Sequence, residues 1–144
     1  GKYHYETKVC NFFSTATANF IPLPGYVIER TSTSGANEYI AMVAPYKGTI
    51  ERIMFRSEIA QDGDLIFAIH ESADGTEVPG PSATGSITTA IDIADDIAQE
   101  VNLSSMTSGS NALQKGRIYA IKCTTPSGPS DTNITVVIKW DTLS

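Results

Sequence analysis

Long apolar runs are missing from this sequence: no stretch approaches the ~20 consecutive apolar residues that a helical bilayer crossing needs, so a helical membrane span is excluded. Cations are few and scattered. Ten Lys and Arg face sixteen Asp and Glu, for a net charge of -6, and a nucleic-acid ligand would have to be held against that field. Cysteine and histidine are scarce. Cys10 and Cys123 permit at most one bridge, lie too far apart in sequence for a CxxC redox or zinc motif, and read most simply as two small buried side chains. His4 and His70 have no second His or Cys at a spacing that brings ligands to one face, so no metal centre and no cofactor site is expected. A G-x-S-x-G elbow is also lacking, and Thr107 to Ser110 reads as a polar loop rather than a serine-hydrolase turn.

What is present is a two-residue period punctuated by turn residues, the pattern of an antiparallel sheet with one covered face. Tyr3, Tyr5, Thr7 and Val9 alternate with Lys2, His4, Glu6 and Lys8, predicting a half-buried first strand. Further strands are expected over Glu38 to Val43, Thr49 to Ser57, Asp64 to His70, around Ile87 to Ile91, over Arg117 to Thr124 and over Ile134 to Trp140. Alternation puts Ile53 with Phe55 on one face and Tyr119, Ile121 and Cys123 on one face, nominates Leu65, Phe67 and Ile69 as core, and turns Ile134, Val136, Ile138 and Trp140 inward against Lys139. Asp62-Gly63 and Asp74-Gly75 read as turns, and Pro22 with Pro24 marks an edge or a corner. Only Asp92 to Met106 leaves helix and strand open, because Ile93, Ile97 and Val101 recur at helical spacing. The expected fold is therefore all-β over residues 1–144: one antiparallel, jelly-roll-like β-sandwich of about eight strands. The opening Gly1-Lys2-Tyr3 has neither an initiator Met nor a signal-peptide core and reads as an excised or processed piece of a longer chain.

Candidate chemistry is thin. Asp92, Asp95, Asp96 and Glu100 could serve as a carboxylate pair or a calcium cage, yet no EF-hand-like glycine accompanies them and a solvated segment explains them more simply. Gln61 to Asp64 reads as a hairpin turn. His70, in a strand beside Glu71, reads as a surface or interface side chain, since no nucleophile is nominated for it to activate. The aromatics Tyr3, Tyr5, Phe12, Phe13, Tyr26, Tyr39 and Tyr46 could form a platform for the apolar faces of sugar rings, although alternation assigns most of them to the core.

One stretch goes beyond generic β patterning. Residues 39–56 (YIAMVAPYKGTIERIMFR) combine an apolar strand, an A-P-Y-K-G corner and a second strand ending at Arg56. Downstream come Phe67 to His70 with Asp74, Gly75 and Thr76, then Lys115 to Ile121, a Pro/Gly loop, and Thr135 to Asp141; upstream lies Phe20-Ile21-Pro22-Leu23. In this order the phrases resemble β-sandwich domains of tailed-phage virion proteins, especially marine ones, from Phe20 onward. The resemblance rests on Pro22, Pro45, Gly48, Arg56, Gly75, Gly116, Trp140 and Asp141. It is structural in character: Pro45 and Gly48 would set a corner between strands, Gly116 would free the approach to another, and Trp140 would plug the core. Arg117 departs from the polar or acidic residue usual after the Lys-Gly pair.

The resemblance implies a non-enzymatic module of a virion, such as a fibre tip, baseplate or capsid-decorating domain. Its expected partners are further copies in a homotrimer, other virion proteins, or a glycan on a host surface. A trimer would give a use to Ile66 and Ala68, which look too apolar for open solvent. The alternative is a free carbohydrate-binding module. A small β-sandwich hydrolase or lyase would need a positioned carboxylate pair that the sequence does not suggest.

Overall fold

The computed structural model describes residues 2–12, 16–25, 29, 31, 40–72 and 82–144, with the side chain of Phe12 left aside. Gly75, Phe13, Tyr26 and Tyr39 lie outside them. Eleven strands are present among the described residues: β1 (Tyr3–Phe12), β2 (Ala18–Phe20), β3 (Met42–Val43), β4 (Lys47–Arg56), β5 (Leu65–Glu71), β6 (Ala83–Thr89), β7 (Gln99–Asn102), β8 (Ser108–Gly109), β9 (Ala112–Leu113), β10 (Ile118–Thr124) and β11 (Thr132–Asp141).

They form two antiparallel sheets. The first runs β1-β11-β4-β7, with β9 beside the start of β4; the second runs β2-β10-β5-β6-β8, with β3 also on β10. β2 and β3 occupy successive parts of one edge of β10, and β7 and β9 successive parts of one edge of β4. Merging each pair and setting aside two-residue β8 leaves eight positions, in the strand order of a jelly roll. The expected count of about eight is the count of these positions.

The core lies between the sheets and is filled from the sets that alternation groups on one face. Ile53, Phe55, Leu65, Phe67, Ile69, Tyr119, Ile121, Cys123, Ile134, Val136, Ile138 and Trp140 are all buried there. Burial of such side chains is worth roughly 1.5–3 kcal/mol each, and their dispersal over four strands, two in each sheet, is what joins the layers. A smaller cluster of Phe20, Ile40 and Ala120 forms separately.

Several expectations are corrected. The first strand faces the other way: Cys10 points into the core while Tyr3, Tyr5 and Val9 stay exposed. The choice left open over Asp92 to Met106 falls to strand and bridge: Ile93 is buried and bridges Gln61, Ile97 is exposed, and Val101 and Leu103 are buried as a period-two pair. Asp62-Gly63 is not a hairpin turn, because β4 and β5 belong to different sheets and this segment crosses between them. Gly63 adopts a φ of 123° there, and its N–H donates to the Asp92 carboxylate at 3.0 Å. Gly48 lies inside β4 rather than at the corner, which is made by residues 44–46 around exposed Pro45. A Cβ on Gly48 would come within 2.6 Å of both the Lys139 carbonyl oxygen and the Trp140 ring, so its lack of side chain serves the tryptophan's packing. Gly116 does free the approach to β10: its φ is 84°, a left-handed conformation that favours glycine.

Candidate binding face

The residues singled out in the sequence are spread through the framework. Pro22 is buried at the end of edge strand β2, and its carbonyl accepts the Gly25 N–H at 2.8 Å. Arg56 ends β4, pairing with Asp96 at 3.2 Å and donating to the Asp131 carbonyl at 3.1 Å. Trp140 is buried and its indole N–H donates to Glu6 at 2.9 Å. Asp141 ties the turn after β11, its carboxylate accepting the Leu143 N–H and its carbonyl the Ser144 hydroxyl. Arg117 pairs with Glu71, which also accepts the Tyr119 hydroxyl at 2.6 Å; Tyr119 in turn accepts the Gln114 N–H at 2.7 Å. Burial first, and then the bond to Glu71, push the Tyr119 phenol up to about 12. This is a clamp holding the start of β10 against the end of β5.

The acids divide among separate partners. Asp92 takes Gly63, Asp96 takes Arg56 and Glu100 takes Arg52 at 3.2 Å, and among the described residues no group of three potential ligands is arranged to hold a metal ion. Glu58 has its carboxyl raised above the usual range, first by its hydrogen bond to Asp131 and then by that residue's charge. His70 is not a surface side chain: it is buried, with its ring edge-on to Phe20 at 5.0 Å. Cys10 and Cys123 are free and buried, and burial pushes both thiols up to about 12.

What the framework leaves over is the outer face of the first sheet. Four of its side chains are large, apolar and exposed: Tyr3 at 49%, Tyr5 at 57%, Val9 at 62% and Met54 at 40%. Antiparallel register orders the face into rows. Tyr3, Asp141 and Lys47 form the first; Tyr5, Lys139 and Thr49 the second; Thr7, Val137, Arg52 and Asn102 the third; Val9, Thr135, Met54 and Glu100 the fourth. Successive rows lie about 7 Å apart along the strands. The opposite side of β1 carries Glu6 and Lys8 inward as an ion pair at 3.4 Å, a device that blunts an edge strand against pairing with another chain. The face, rather than the edge, is therefore the part of β1 suited to contact.

Two shallow depressions mark this face. One, of about 290 Å³, is lined by Tyr3, Lys47, Gly48, Thr49, Lys139 and Asp141. The other, of about 220 Å³, is lined by Met54, Phe55, Arg56, Ala98, Asn133 and Thr135. They lie about 20 Å apart along β11. At the first, the Lys139 ammonium sits 4.3 Å from the centre of the Tyr3 ring and that of Lys2 5.0 Å from it. These are cation–π contacts that hold two flexible lysines in place. The sequence offers Tyr3 and Tyr5 among seven aromatics, most of them expected in the core, and does not disclose the lysines because Lys2, Lys47 and Lys139 are far apart in sequence.

No protein-family model, characterised protein or solved structure matches this chain. The face has to be interpreted from its own residues. Ile66 and Ala68 lie on the opposite side of the molecule, half-buried on the outer face of the second sheet, where Ile66 registers with Thr88 and Thr124, and Ala68 with Ser86 and Lys122.

Proposed function

We propose that this chain is a structural module of a tailed-phage particle, a fibre-tip, baseplate or capsid-decorating domain, that assembles as a homotrimer and meets its surroundings through the outer face of its first sheet. The observation that carries the reading is the division of the surface. Of the exposed large apolar side chains among the described residues, Tyr3, Tyr5, Val9 and Met54 share one sheet face, whereas Val43, Ile59, Ile97 and Leu143 lie elsewhere. Apolar side chains gathered on a monomer's surface mark contact sites. Ile66 and Ala68, on the opposite side, supply the surface for association about a threefold axis, leaving the first sheet turned outward. Light scattering coupled to size exclusion tests this: a mass of three chains is expected, and a single-chain mass at every concentration would remove the assembly part of the reading.

The second reading, a free carbohydrate-binding module, draws support from Tyr3 and Tyr5 beside a depression that also offers ammonium, hydroxyl and carboxylate groups. Sites for sugars combine an apolar platform with a few convergent polar groups. Under this reading the chain is a monomer that binds glycan unaided.

A further inference from the structure

We infer that the tyrosine–lysine end of the first sheet is a binding site for an acidic oligosaccharide, with Tyr5 as the stacking platform and Lys2, Lys47 and Lys139 as the receivers of its anionic group. The inference rests on the reading of this face as a contact surface, and it names the ligand class. Three of the chain's ten cations gather at the Tyr3 end of the sheet, Lys2 and Lys139 over its ring and Lys47 beside it in the depression, on a protein of net charge -6. The three ammonium groups are not spent on carboxylates: the ion pairs among the described residues use Lys8, Arg52, Arg56 and Arg117 instead. The Tyr3 ring fixes Lys2 and Lys139, which lowers the entropy lost when they meet an anion. Tyr5, one row further along and more exposed than Tyr3, offers the ring for stacking, with Lys139 as its direct cross-strand neighbour.

Asp141 decides between a sugar and a bare anion. Its carboxylate lines the same depression, and that of Glu51 accepts the Thr49 hydroxyl beside it at 3.2 Å; both repel a naked phosphate or sulfate, yet both can accept hydrogen bonds from sugar hydroxyls. An acidic sugar presents both an anionic group and neighbouring hydroxyls, matching both kinds of side chain. The second depression, along β11, gives a longer chain a further place to rest, at Met54, Asn133 and Thr135.

The test titrates the purified chain by calorimetry with tetragalacturonate, with neutral cellotetraose and with inorganic phosphate. Tetragalacturonate is expected to bind about tenfold or more tightly than cellotetraose. That preference should shrink as salt is raised, because exposed charges are screened within about 10 Å at 0.1 M. Lys47→Glu with Lys139→Glu should abolish the preference, and Tyr5→Ala should weaken binding about tenfold. Equal affinity for both tetrasaccharides, no binding of either, or phosphate binding as tightly as tetragalacturonate would each overturn the inference. The salt dependence is read on the unaltered chain, so it decides even where a variant fails to fold. Solution mass is read on the same samples: a trimer that ignores tetragalacturonate refutes the ligand and leaves the virion reading standing, while a monomer that binds it does the reverse.

Discussion

Trp140 and Gly48 show how one side chain's fit dictates its neighbour's identity. The indole is buried between the layers, donates to Glu6 across from β1, and lies against a glycine on β4 whose missing Cβ leaves it room. Gly48→Ala forces the ring or the Lys139 carbonyl to move, and overpacking of this kind costs about 1–3 kcal/mol. Urea denaturation should show that loss with little change in slope. The two cysteines make a pH prediction at the same scale. Their thiols are pushed by burial from the ordinary 9.0 to about 12, so the folded state holds protons that the unfolded state releases. Their stabilising contribution is complete below pH 9.0 and is lost as pH rises toward 12. Stability measured across that interval should fall, and it should fall less steeply in Cys10→Ala with Cys123→Ala; an unchanged slope would contradict the assignment.

At the scale of strands, period two was a sound guide wherever both sides of a strand differ sharply and the strand is flanked by neighbours. β4, β5, β10 and β11 each carry one alternating set inward. It failed for β1, where alternation separates two sets but does not say which turns inward. Tyr3, Tyr5 and Val9 are the more apolar set, yet Cys10 and the Glu6–Trp140 bond fix the opposite choice. Those partners are more than a hundred residues away, so no local pattern could disclose them. The Asp92 to Met106 segment stays open in the sequence for another reason: Ile93, Ile97 and Val101 recur at helical spacing by coincidence, while Val101 and Leu103, two apart, are the buried pair. The candidate face was legible only in its tyrosines. Its lysines come together through the β1-β11-β4 register. The clamp between β5 and β10 yields a further prediction: Tyr119→Phe deprives Glu71 and the Gln114 N–H of a shared partner, and should cost roughly 1–3 kcal/mol. Amide exchange should quicken at Gln114 and near the start of β10; unchanged exchange there would show the bonds to be incidental.

For the whole molecule, the two sheets give it two outer faces of different character. One presents exposed tyrosines, Val9, Met54 and a group of lysines; the other presents half-buried Ile66 and Ala68 among hydroxyls and Lys122. Under the proposed reading the Ile66 and Ala68 face meets further copies and the tyrosine face meets what lies outside. The most direct measurement is solution mass by light scattering, taken in parallel on the unaltered chain, on Ile66→Glu and on Tyr5→Glu. Under the proposed assembly the expected masses are a trimer, a monomer and a trimer. A monomeric unaltered chain at all concentrations, or a trimer dissociated by Tyr5→Glu and not by Ile66→Glu, would contradict it.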